Sequence, residues 1–108
     1  MGNAVNKNQF YVYARRNDNT WKSKYLHSFI EEISALSHFK HIVWRFALQH
    51  EDIYKDYTTL YLYKGSIRII KASLEREIDG FDKLTLTFLN DIYAGNWDTC
   101  EEKILNHD

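Results

Sequence analysis

Tyr11, Tyr13, Tyr61 and Tyr63 occupy alternate positions in two apolar-rich segments, residues 10–15 and 57–63. Arg15 continues the first alternation, and Arg68 lies in a third such segment, residues 66–70. Side chains two apart on an extended chain share a face. The three segments therefore predict a sheet with one face bearing tyrosines and arginines. Its chemistry is recognition without covalent change: a phenol offers a ring and a hydroxyl, and a guanidinium offers a fork of donors and a fixed charge. Tyrosine and arginine are preferred anchors in protein interfaces. Aromatics on a sheet also stack the bases of single-stranded nucleic acid while cations hold phosphates. The third reading is a second core, with Phe81, Phe88, Trp97 and the C-terminal helix covering the face. The candidate site comprises Tyr11, Tyr13, Arg15, Arg45, Tyr61, Tyr63 and Arg68, with Lys22 and Lys24 near it.

Residues suited to bond-breaking chemistry are present without the spacing it needs. His38 and His41 are three apart and could share a helix face or flank a helix-to-strand turn, but a structural metal site needs further ligands, and Cys100 is distant in sequence. His50-Glu51-Asp52 has no recognised ligand spacing. Cys100 falls in the first turn of a predicted helix, where a thiolate is favoured, but no nucleophile signature surrounds it. The four glycines, Gly2, Gly65, Gly80 and Gly95, are scattered and form no phosphate loop. Glu31-Glu32 and Glu101-Glu102 are adjacent on predicted helices, so their carboxylates diverge. These observations predict no enzyme activity, no metal and no cofactor.

Charge is nearly balanced, with 14 basic and 15 acidic residues and a net charge of -1. That argues against a nucleic-acid coat, which needs clustered positive charge. The balance is uneven along the chain. Residues 1–24 hold five bases and the single acid Asp18, and residues 75–108 hold nine acids and three bases. Asp91, Asp98, Glu101 and Glu102 make an acidic segment that would suit a basic surface.

The elements that must position these residues are legible in outline. Residues 9–15 predict a strand, Asn17-Asp18-Asn19 a turn, and residues 20–26 the return strand of a hairpin. Ser28 and Glu31 fit a capping box, and Phe29, Ile33 and Leu36 form a helical stripe, predicting a helix from 28 to about His38. In residues 41–49, Ile42, Trp44, Phe46 and Leu48 alternate with Val43, Arg45, Ala47 and Gln49. That predicts a strand; the other reading continues the helix from Ser37. A two-residue loop at Lys64-Gly65 predicts a hairpin pairing Leu62 with Ile67, Tyr61 with Arg68 and Leu60 with Ile69. Residues 75–79 form a charged connection. Residues 81–94 carry both a strand alternation and a helical stripe; the helix is adopted, with Gly95 as its cap. Asp98 opens a last short helix to Asn106, docked through Ile104 and Leu105.

The order β-β-α-β-β-β-α-α predicts an α+β fold: an antiparallel sheet of about five strands with helices mainly on one face. Val12, Trp44, Phe46, Leu60, Leu62, Ile67 and Ile69 are assigned to its apolar face. Length, 44% hydrophobic and 16% aromatic content predict one domain over residues 1–108, with residues 1–8 frayed. A single cysteine and the absence of a long apolar run predict a cytoplasmic protein with no membrane partner. The expected function is a small, non-catalytic protein-binding domain. It would act as an antagonist of a host or toxin protein, in the manner of phage anti-defence inhibitors or immunity proteins. The expected partner is a protein, a nucleic-acid-handling one or a second copy in a homodimer, with single-stranded nucleic acid as the alternative.

Overall fold

The computed structural model describes residues 6–16, 23–48, 57–76 and 82–102. They form an α+β fold with seven elements: β1 (Phe10–Arg16), β2 (Ser23–Phe29), α1 (Glu32–Leu48), β3 (Tyr57–Lys64), β4 (Ile67–Arg76), β5 (Asp82–Phe88) and α2 (Asp91–Thr99). The strands make one antiparallel sheet in the order β2-β1-β3-β4-β5. Both helices lie on one side of it, because the buried residues of α1 and Trp97 of α2 join the same core as Val12, Leu62 and Ile70.

The sheet alternates as its residue types require. Val12, Leu62, Ile70 and Phe88 lie side by side across β1, β3, β4 and β5. Ala14, Leu60, Ala72 and Leu86 form the next row. Most of these side chains are completely buried, with Leu86 and Phe88 partly so. Over them α1 lays Ala35, Leu36, Phe39, Ile42, Val43 and Phe46, a stripe at helical spacing.

That stripe corrects the expected strand at 41–49. A helix sends residues four apart to one side, so the apparent alternation is split. Ile42 and Phe46 enter the core, while Trp44 and Leu48 are 49% and 57% exposed. The helix also starts later than expected. Ser28, the expected cap, belongs to β2 opposite Tyr11, and Ala35 N–H donates to the Glu31 carbonyl at 2.9 Å instead. Phe29 ends β2, and Ile33 is 68% exposed.

The β3–β4 hairpin is displaced from its expected register. The turn is Gly65-Ser66, with Lys64 opposite Ile67, Tyr63 opposite Arg68 and, beyond a bulge, Leu62 opposite Ile70. Gly65 has φ 60°, and a Cβ there would lie 3.0 Å from Lys7 Cα. Both the backbone angle and the close approach thus require glycine. Ile67, assigned to the core, is 60% exposed. β4 runs on through Glu75 and Arg76, which were expected in a connection.

The region expected as a helix over 81–94 is β5 followed by α2. Asn90 caps α2: its Oδ1 accepts from the amides of Ile92 and Tyr93 at 3.0 and 3.3 Å. Gly95 lies within α2 and Asp98 in its last turn, so neither has its expected capping role. Residues 103–106 of the expected last helix, with Ile104 and Leu105, lie outside the described residues, as do Asn17-Asp18-Asn19, His50-Glu51-Asp52, Lys22 and Phe81. α2 has no basic residue in its own last turn. Lys40 of α1 supplies one, donating to the carbonyls of Trp97 at 2.9 Å and Cys100 at 3.1 Å. A cation at a helix C-terminus is stabilising, and here it ties the two helices together. No described helix is long and apolar enough to cross a membrane.

Candidate binding face

The face of the sheet turned away from the helices collects the aromatic side chains. Tyr11 lies opposite Tyr63, Tyr13 opposite Tyr61, and Arg15 opposite Thr59. On the outer strand Tyr25 lies opposite Tyr13. On β4, Arg68 lies opposite Tyr63 and Lys71 opposite Tyr61. Directly paired residues in an antiparallel ladder share a face, so six of the seven predicted sheet-face residues come together here: Tyr11, Tyr13, Arg15, Tyr61, Tyr63 and Arg68.

Their rings form a connected cluster. Tyr13 meets Tyr25 edge to face at a centroid distance of 5.9 Å and Tyr63 at 5.4 Å. Tyr61 and Tyr63 are tilted at 6.1 Å. The Arg68 guanidinium carbon lies 4.1 Å from the Tyr61 centroid and 5.9 Å from that of Tyr63, and its Nη2 donates to the Tyr63 hydroxyl at 3.4 Å. Cation and ring quadrupole attract in this arrangement. Tyr61 is only 4% exposed, although the described helices both pack on the opposite face. Tyr11 is held at one end, its hydroxyl accepting from the Asn6 amide at 3.1 Å.

Arg45 is not part of this face. It projects from α1, on the other side of the sheet, with Nη1 3.5 Å from His41 Nε2. Lys24 pairs with Ala14 and so points to the helix side. Of the expected cover, Phe81 and residues 103–106 lie outside the described residues, and Phe88 and Trp97 belong to the helix-side core. Trp97 packs edge to face on Phe39 at 6.0 Å and on Phe88 at 5.9 Å, which places α2 beside α1 in the core. Tyr25 and Lys71 join the face without having been singled out. Lys71 was legible: Ile70, Ala72 and Leu74 alternate with Lys71, Ser73 and Glu75, extending the strand past the expected end at Ile70.

The acidic candidates lie on the helix side. Asp91 and Asp98 are two turns apart on α2 and exposed, and Glu101 and Glu102 follow the helix. Glu102 Oε2 is 3.6 Å from His41 Nδ1. The acidic group and the tyrosine face are therefore separate surfaces. His38 and His41 both lie on α1, and the His38 ring stacks on Phe29 at 5.1 Å. Cys100 follows α2, its Sγ 3.3 Å from the Trp97 carbonyl oxygen, so it lacks the helix-start position expected for a reactive thiolate. Among the described residues no three His, Cys, Asp or Glu side chains are grouped to hold a metal ion. Set beside protein-family models, curated proteins and solved structures, the chain matches none.

Proposed function

We propose that this chain is a protein-binding domain that works without catalysis, by occupying a partner's surface with its tyrosine face. The carrying observation is the connected cluster of Tyr13, Tyr25, Tyr61, Tyr63 and Arg68 on a sheet face that neither described helix covers. Tyrosines held by their neighbours lose little conformational freedom on binding, which favours them as anchors. Action by occupation fits an antagonist of the inhibitor or immunity-protein kind, and the exposed acids around α2 give it a second surface of opposite charge.

Single-stranded nucleic acid is the second reading, favoured by Arg68 and Lys71 beside the rings. The ring geometry counts against it. Base stacking needs free ring faces, whereas these tyrosines meet edge to face and Arg68 occupies the face of Tyr61. The test is affinity capture from nuclease-treated host extract, with wild-type chain and Tyr13→Ala/Tyr63→Ala as parallel baits of matched circular dichroism. A protein recovered by the first and lost by the second is expected. Recovery by both alike, or salt-sensitive binding of labelled single-stranded oligonucleotides with no protein recovered, overturns the proposal.

A further inference from the structure

Next to the tyrosine cluster the sheet is notched where β4 meets the end of β5. The notch has a volume of about 220 Å³. Arg68, Lys71, Thr87 and Leu89 wall it from the tyrosine side, and Ile69, Ile70 and Phe88, whose side chains belong to the helix-side core, complete the lining. Lys71 lies between Tyr61 on one neighbouring strand and Thr87 on the other, so the notch continues the tyrosine face toward the edge of the sheet. Leu89 is 60% exposed although its amide donates to the Ile69 carbonyl at 2.8 Å. Ile69 is the extra residue of the β3–β4 bulge, a device that re-aims neighbouring side chains.

The sign of the charge here is one-sided. Among the described residues that the register turns to this face, the cations are Arg15, Arg68, Lys71 and Lys83, and the carboxylate is Glu75, opposite Lys83. The acids Asp91, Asp98, Glu101 and Glu102 sit on or just after α2, on the far side of the sheet.

We infer that the notch receives an acidic segment of a protein partner, with an apolar side chain against the exposed Leu89 and flanking carboxylates on Arg68 and Lys71. The inference rests on reading this face as a protein-contact surface and adds the partner's chemistry. Small-molecule pockets start at roughly 300 Å³, so this notch suits one side chain better than a free ligand. A guanidinium takes a carboxylate with paired donors, and a neighbouring ammonium adds charge without demanding geometry. A second copy docked face to face would oppose two surfaces of the same sign, which costs affinity. A nucleic-acid backbone would satisfy the cations and leave the exposed Leu89 unused.

The test is selection of a random displayed-peptide library on the wild-type chain, followed by binding of the selected peptides to variants. The expected peptides carry Asp or Glu around Leu, Phe or Trp. Their affinity falls by about tenfold or more in Arg68→Glu/Lys71→Glu, and by less in Arg68→Gln/Lys71→Gln, which keeps the proposal testable if charge reversal perturbs folding. No enrichment, neutral or basic peptides, displacement of the peptides by single-stranded oligonucleotide at lower concentration, or equal affinity for the Gln variant each overturns it. The two readings separate through Tyr13→Ala. Loss there without loss in the cation variants overturns the notch alone, and no loss in either overturns the tyrosine face as well.

Discussion

On the helix side of the sheet, Val12, Leu62 and Ile70 are buried under a second layer: α1 spreads six side chains over them and α2 adds Trp97. On the opposite side, the intervening residues Tyr13, Tyr61 and Tyr63 shield one another, and Arg68 closes over Tyr61. Each side holds a side chain close to zero exposure: Leu62 at 0% and Tyr61 at 4%. Low exposure alone therefore does not mark the core of this molecule. The helix side gains from removing apolar area from water. The other side gains from ring and cation contacts, which hold its tyrosines and the Arg68 guanidinium in place.

If the two sides differ in this way, truncations should differ most. Phe39, fully buried between Trp97 and the sheet, is expected to cost about 3 to 5 kcal/mol as Phe39→Ala, read from urea unfolding. A loss comparable to that of any open-face truncation would break the comparison. The next largest effect is expected at Tyr61. Tyr61→Ala should cost about 2 kcal/mol, because it removes buried ring area and the seat of Arg68. Tyr25, 51% exposed at the outer strand, should cost roughly 0.5 kcal/mol as Tyr25→Ala. Equal losses at the two tyrosines would mean that self-shielding contributes nothing.

A third effect isolates the join between the helices. Lys40→Met keeps the apolar stem and removes two charge-assisted hydrogen bonds to the end of α2. Hydrogen bonds to charged groups contribute about 1.5 kcal/mol at the lower end of their range, and partial exposure of Lys40 favours that end. The loss should be local: amide exchange accelerates in residues 96–100 while β1 and β3 stay protected. Uniform acceleration across the sheet would show that α2 is no separate layer element.

How far the sequence carries depends on which period a segment satisfies. The tyrosine face was legible because Tyr11, Tyr13, Tyr61 and Tyr63 alternate without competition from any helical reading. Residues 41–49 were not, because Ile42 and Phe46 satisfy both a period of two and a spacing of four. Only Phe39 and Val43, filling the same stripe, decide for the helix. Arg45 was lost from the site for the same reason. In residues 81–94 both patterns were present because both elements are present, in succession, and the cap that divides them is Asn90. The hairpin missed by one turn position because the glycine is the first residue of the loop, set by its approach to Lys7 and by the hydrogen bond its N–H donates to the Gln9 carbonyl. Both contacts join β1's approach to the hairpin, and no local pattern encodes them.

The smallest expected effect has the opposite sign. Gly95 lies in the middle of α2, where glycine is less favourable than alanine by about 0.5 to 1 kcal/mol, and an added Cβ would meet nothing within 4 Å. Gly95→Ala should therefore raise the melting temperature by roughly 2–6 °C. It alters the helix layer alone, so the affinity of any ligand of the tyrosine face should not move. The pairing of outcomes is what matters. A melting temperature that rises with unchanged binding would separate stability, held by the covered side, from recognition, held by the open one. If binding fell as α2 stiffened, the two faces would share a conformational equilibrium, and their independence would be lost.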